Sequence, residues 1–302
     1  MTSPAMPQSV GIIGVGNMGG GMAKRLLSQG WAVHVCDIDA HKTTALQSLG
    51  ATVHATPHAL AQQVHTVIVC VVNAQDVQDV LSGTTDASHG LLSALQAHHT
   101  VMLCPTLSPE DVENTAAQLM AHQVPTIDAP MSGGPLRAEQ GTMSLMVACE
   151  DDIFTAHENL LNTLSSQVFR ISQRVGDGAR TKLANNLLAG INLVGAAQVL
   201  AMAQRMGLDP SKTLDVMERS SGQSWISADR LRRALVNDYA PRAHVTLLEK
   251  DTRLAVQAGD AVGFTPALGR LAADVFAQAH AAGLAEEDDA SVFKLYGQSS
   301  AS

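Results

Sequence analysis

An α/β doubly wound sheet followed by an all-α domain is the fold class this sequence predicts, on three observations. Short β-rich apolar runs alternate with helical patterns over the first half, a glycine-rich turn separates the first run from the first helical pattern, and beyond residue 176 the alternation gives way to helix after helix. The 302 residues, 46% hydrophobic and only 16% charged, suffice for two ordinary cores.

The elements follow in order. Strands are expected at 10–15, 32–37, 52–54, 66–72, 100–104 and 126–129, then at 144–148 and 167–171, each a compact apolar run. Between them, 18–29, 42–49, 57–63, 76–81, 109–122 and 153–164 carry apolar residues three and four apart, the spacing of one helix face. Right-handed crossovers wind such units into a parallel sheet with helices on both faces. From 178 a long helix runs to 206, stopped by Gly207 with Pro210 beyond, and a helix at 211–219 follows. These signals put the domain boundary near Gly176, giving domains 1–176 and 177–302, and predict a disordered tail over 298–302.

Composition excludes several functions. A net charge of -9 with no basic stripe argues against a nucleic-acid partner, which needs cations to displace counterions from phosphates. The opening MTSPAMPQSV lacks the charged flank and apolar run of a secretory signal, so a cytoplasmic protein is expected. Cys36, Cys70, Cys104 and Cys149 end apolar runs without redox or metal spacing, and the 12 histidines show no ligand motif, so no metal is expected. Residues 183–204 carry no charge and are long enough to cross a bilayer. Asn185, Asn186, Asn192 and Gln198 within the run, and the lack of an aromatic belt, favour a helix buried on most sides, between domains or between subunits.

The turn GVGNMG sets Gly14, Gly16 and Gly19 in the G-x-G-x-x-G arrangement directly after a strand and at the opening of a helix. Gly14 permits the tight turn, Gly16 lets backbone approach a pyrophosphate, and Gly19 allows close helix–strand packing, while the helix N-terminus offers unpaired N–H groups to the anion. Val15, Asn17 and Met18 line the same turn. Asp37, at the end of the second strand, stands where a ribose-binding carboxylate is expected, and Ile38, Asp39 and Ala40 supply no arginine for a 2′-phosphate. A Rossmann-type domain binding NAD follows.

The ordered series GVGNMG, DAPMSGGPLRAEQGTMSLMV, GARTKLANNLL, SSGQSW and LLEKD resembles the β-hydroxyacid dehydrogenase (3-hydroxyisobutyrate dehydrogenase-like) family over nearly the whole chain. The resemblance implies a Rossmann-type domain followed by an all-helical one that assembles into a homodimer or homotetramer. It implies that Val72, Asn73 and Thr106 touch the cofactor, that Lys250 reaches it from the helical domain, and that Ser132, Gly133 and Gly134 hold the substrate carboxylate. Cys104 and Pro105 stand where the family usually has serines. The runs CVVNAQDVQDVLSG and EEDDASVFKLY are similar to the branch acting on L-threonate, which makes that acid the expected substrate, with 3-hydroxyisobutyrate and tartronate semialdehyde as alternatives.

Lys182 opens the long helix just past the boundary, with Asn186 one turn on over the same face. By the resemblance Lys182 is the acid/base, projecting into a cleft between the domains, and Asn186 orients the substrate hydroxyl or the amine. The role requires an amine that can shed its proton, hence desolvation and a nearby positive ring. Trp225 is expected at an interface or in the core. A catalytically silent NAD-binding scaffold is the reading from another class, and the presence of Lys182 weighs against it.

Overall fold

The computed structural model describes residues 8–84 and 86–297. The expected tail at 298–302 and the opening residues 1–7 lie outside them. The sheet contains β1 (Ser9–Ile13), β2 (Ala32–Cys36), β3 (Thr52–Val53), β4 (Thr66–Val69), β5 (Thr100–Leu103), β6 (Thr126–Asp128), β7 (Met131–Ser132), β8 (Ser144–Ala148) and β9 (Gln167–Ser172). Their order is β3-β2-β1-β4-β5-β6-β8-β7, with β9 on β8. The first six strands are parallel, Ile12 of β1 standing opposite Val35 of β2 and Ile68 of β4. β8 then runs antiparallel to β6 and β7, and β9 is parallel to β8. The chain order reverses between β1 and β4, and in such sheets ligands bind outside the carboxyl ends of strands at that switch.

The pleat explains why these runs read as continuously apolar. Val10 and Ile12 of β1, Ile68 of β4 and Met102 of β5 face one core, and Ile13, Val67, Val69, Val101 and Leu103 face the other. On the first face lie α1 (Asn17–Ser28), α2 (Ala40–Gln47) and α7 (Asp151–Leu164), contributing Met22, Leu26, Leu46, Leu160 and Leu164. On the second lie α3 (Pro57–Ala61), α4 (Ala74–Ser82) and α5 (Pro109–Ala121), contributing Leu60, Leu81, Val112 and Leu119. Thr56, Asn73 and Ser108 cap these three helices by accepting the N3 amide, the signal that sequence can show.

Three expectations are corrected. Strands expected to reach Val15, Asp37 and Val72 end at Ile13, Cys36 and Val69, because the last residues of each run leave the ladder to form the loops at the switch point. The stretch after 129, for which no element is expected, holds β7 and α6 (Gly134–Gln140), and β7 closes as an antiparallel pair on β8. The strand expected at 167–171 runs to Ser172.

The compact units divide between Lys182 and Leu183, inside α8 (Asp177–Arg205), six residues beyond the Gly176 expectation. The second unit continues with α9 (Pro210–Glu218), α10 (Trp225–Leu235), α11 (Val245–Ala261), α12 (Ala267–Ala279) and α13 (Lys294–Gly297). Its core gathers Leu193, Ala197 and Leu200 of α8 with Leu214, Leu231, Val245, Phe276 and Val292. By length and composition alone α8 could cross a membrane, but half of its most apolar window is buried inside the protein. Gly190 fits there because a methyl group on it would lie 2.7 Å from Thr252 Cγ2 of α11.

Candidate active site

The glycine turn separates what the protein itself requires from what a ligand requires. Gly14 has φ +86°, and a methyl group on it would lie 2.6 Å from the Cys70 carbonyl oxygen at the end of β4. On Gly19 it would lie 2.0 Å from the Gly14 carbonyl oxygen. On Gly16 it would meet nothing within 4 Å. Packing therefore accounts for Gly14 and Gly19 and leaves Gly16 facing open space, where only something outside the chain gains from a missing side chain. Gly16 is also the N-cap of α1, without a side-chain cap or an acidic residue in the first turn, and the first bond of the helix runs from Gly20 N to Gly16 O, so the N–H groups of Asn17 and Met18 find no partner within the helix. These are the features of a pyrophosphate cradle, and they fit a dinucleotide.

Asp37 binds this turn to its neighbour. Oδ2 accepts from Val15 N at 2.7 Å and Oδ1 from Asp39 N at 2.8 Å, so the carboxylate is held one residue past β2. Asp39 in turn caps α2 by accepting from His41 N. On the other side of the switch, Asn73 Oδ1 accepts from Asp76 N at 2.9 Å while Asp76 Oδ2 accepts from Asn73 N at 3.3 Å and Val72 N at 3.2 Å. This reciprocal cap fixes the path of the loop and leaves Val72 57% exposed. Thr106 follows β5, half-buried, two residues before the Ser108 cap of α5.

The 132–134 turn leaves β7 with Gly133 at φ +135° and Gly134 at φ +78°, conformations that side chains rarely adopt. That backbone can turn its N–H groups outward, the chemistry of an anion-binding concavity. Lys182, on the second turn of α8, is 6% exposed. An ammonium that deep loses most of its hydration, the environment in which a lysine works as an acid/base rather than as a surface charge.

In the helical unit, Asn186 is buried; its Nδ2 donates to Asp251 Oδ2 at 2.6 Å and its Oδ1 accepts from Asn185 Nδ2 at 3.0 Å. Lys250 Nζ stands 3.0 Å from Asp251 Oδ1, an ion contact off the line of a hydrogen bond. Asp251 thus couples two residues expected at the site, Asn186 and Lys250. Trp225 lies outside the core at 53% exposed, with the Arg230 guanidinium 5.9 Å from its ring centroid.

Two further residues open the motifs DAPMSGGP and GARTKLANN but are given no role by them. Asp128, at the end of β6, is 1% exposed and accepts amides from the start of α8, and Gly178 is the residue that lets it approach. The cysteines contribute no nucleophile, since burial pushes Cys36 up to about 11 and Cys70 up to about 12, and raises Cys104 and Cys149 as well. Among the described residues no three His, Cys, Asp or Glu side chains converge on a point that could hold a metal ion.

Comparison with known proteins agrees with this geometry. Residues 9–172 match the NAD binding domain of 6-phosphogluconate dehydrogenase, and residues 176–296 match the family described as NAD-binding of NADP-dependent 3-hydroxyisobutyrate dehydrogenase. The chain is 32% identical to an L-threonate dehydrogenase of Cupriavidus necator, covering 96% of this chain and 97% of that one. It is 29% identical to the mitochondrial 3-hydroxyisobutyrate dehydrogenase of Homo sapiens, over 97% and 88% of the two chains. A crystal structure of a 3-hydroxyisobutyrate dehydrogenase from Salmonella typhimurium superposes with a TM-score of 0.88 at 32% identity, over 95% of this chain and 99% of that one. The cradle left open at Gly16, the buried lysine and these two matched domains lead to one assignment: the chain belongs to the 3-hydroxyisobutyrate dehydrogenase-like family and is an NAD(P)-binding hydroxyacid dehydrogenase, an oxidoreductase acting on CH–OH groups.

Proposed function

We propose that the protein oxidises the C2 hydroxyl of L-threonate to the 2-oxo acid (2-dehydro-L-erythronate) with NAD, and that Lys182 is the acid/base. A bound nicotinamide cofactor would supply the acceptor for the hydride leaving C2. The neutral amine of Lys182 takes the hydroxyl proton as the carbonyl forms, and in the reverse direction the ammonium returns it. Ser132, Gly133 and Gly134 hold the carboxylate, whose charge suits outward amides. Asn186, fixed by Asp251, orients the substrate hydroxyl or the amine, while Thr106, Val72, Asn73 and Lys250 contact the cofactor. The observation that carries the reading is the burial of Lys182 at 6% exposed in the N-terminal turns of α8.

NAD is favoured over NADP because Asp37 presents a carboxylate where a 2′-phosphate would lie and residues 38–40 offer no cation to receive it. The choice of threonate is supported by relatives bearing that name at about a third identity over nearly full length. Oxidation of 3-hydroxyisobutyrate is the second reading, supported by the Salmonella structure that carries that name at the same identity. We further propose a homodimer or homotetramer, because Leu188, Val199, Met202 and Met206 of α8 and its end are each at least 45% exposed; light scattering reads this directly. Steady-state rates with L-threonate and 3-hydroxyisobutyrate, each with NAD+ and NADP+, and with tartronate semialdehyde and NADH or NADPH, test the function. The expected result is highest kcat/KM with L-threonate and NAD, and no turnover of L-threonate would discard that assignment.

A further inference from the structure

The reading above leaves the buried carboxylate of Asp128 without a task. Its Oδ2 accepts from Gly176 N at 2.8 Å and from Ala179 N at 3.1 Å, and the Gly178 amide also donates to the group. These amides belong to the entry and first turn of α8, where N–H groups have no partner inside the helix. Two glycines make the approach feasible. Gly176 has φ +100°, and a methyl group on Gly178 would lie 2.9 Å from Asp128 Cγ and Oδ2 and 2.7 Å from the Met146 carbonyl oxygen.

The same turn is anchored from its outer side. Ser172 Oγ donates to Asp177 Oδ2 at 2.7 Å, and Arg180 bridges Asp177 to Glu113 of α5 at 3.1 and 2.7 Å. Lys182 follows Gly178 by four residues, so a shift of the first turn passes directly to its amine. In the other direction Asp128 precedes Ser132 by four residues, and the intervening chain is held where Met131 pairs with Leu145 of β8.

We propose that Asp128 is a positioning residue for the hydroxyacid dehydrogenase reaction: its carboxylate pins the first turn of α8 to the end of β6 and so sets Lys182 Nζ against the 132–134 turn. The inference rests on the assignment of Lys182 as acid/base. An asparagine has the same shape, but its single acceptor oxygen is uncharged and its NH2 cannot receive an amide, so the substitution replaces charge-assisted bonds to the turn by weaker neutral ones. Burial pushes Asp128 up to about 6, against the opposing pull of the three amides and with Asp177 adding in the same direction. The Cys104 thiol, at the end of β5, also faces it. Below about pH 6 the carboxyl therefore gains a proton, and the pin loosens in the unmodified enzyme.

Asp128→Asn and Gly178→Ala disturb one contact from its two ends, and Lys182→Ala removes the group being positioned. For each, kcat, KM, the Kd of NAD+ by fluorescence titration, the melting temperature and the pH dependence of kcat are measured, with L-threonate or, if only that is turned over, 3-hydroxyisobutyrate. The proposal expects Asp128→Asn and Gly178→Ala to lower kcat about 100-fold, as a misplaced catalytic group does, with the Kd of NAD+ within about twofold. It also expects kcat to fall below about pH 6 in the wild type as Asp128 takes up its proton, and that part of the fall to be absent in Asp128→Asn. A purely structural role would lower the melting temperature and the NAD-binding fraction while leaving kcat per binding site and the acid limb unchanged, and that outcome overturns the proposal. Should Asp128→Asn fail to fold, Gly178→Ala, which keeps the carboxylate, decides on kcat alone. Retained turnover in Lys182→Ala would instead refute the lysine assignment, whereas a silent Lys182→Ala beside a wild-type Asp128→Asn refutes only the positioning role.

Discussion

At the scale of single residues, the three motif glycines answer to different forces, and substitution separates them. Gly19→Ala forces a methyl group to 2.0 Å from the Gly14 carbonyl oxygen and is expected to destabilise the fold by about 1–3 kcal/mol. Gly16→Ala meets nothing, so its melting temperature should stay close to wild type while NAD+ binding weakens about tenfold or more. Thermal melts and NAD+ titrations of the two variants check the pair, and unweakened binding in Gly16→Ala would remove the cradle. These glycines and Asp37 were legible because their spacing lies within one strand–turn–helix–strand unit. Asp128 was not, since it meets its amide partners 48 and 51 residues on, a separation no local pattern encodes. Asp251 was half legible: its neighbour Lys250 is visible in sequence, but its bond to Asn186 spans 65 residues.

At the scale of elements, the parallel strands and their crossover helices were legible because each is buried on its own face with a regular period. The strand ends and the segment 131–140 were not, because loops at the switch point and the short β7–α6 unit are set by tertiary pairing against β8. In the helical unit, a short 3-10 helix at Asp289–Phe293 is tied down by Asp288, whose Oδ1 accepts from Arg233 at 2.9 Å and whose Oδ2 accepts from Arg242 N at 2.9 Å. Burial alone would raise Asp288, but the bonds from Arg233 and from the Arg242 and Ala290 amides outweigh it and hold the group below its ordinary value of 3.8. A carboxylate depressed in the folded state stabilises fully above its unfolded pKa, and that stabilisation is lost as pH falls through the native one. Asp288→Asn should therefore destabilise by about 1–3 kcal/mol at pH 7, because Arg233 keeps only its longer contact, 3.5 Å, with Asp229. The gap in melting temperature to wild type should narrow below about pH 4, and a gap independent of pH would contradict this electrostatic account.

At the scale of the whole molecule, the chain is a Rossmann-type unit and a helical unit sharing one long helix, and the chemistry depends on what that helix carries. The two-domain plan was readable from the change in pattern near Gly176, while the compact units part six residues later because the first turn of α8 packs with the sheet: Ala179 is buried in the same core as Val69 and Leu103. Lys182 is the last residue on the sheet's side of that division. The central claim is that its amine moves the substrate proton while the glycine turn holds the dinucleotide. The most direct test is Lys182→Ala assayed for turnover of L-threonate and the alternative acids beside an NAD+ titration. The account predicts a loss of at least about 1,000-fold in kcat with NAD+ binding retained; turnover within about tenfold of wild type would contradict it.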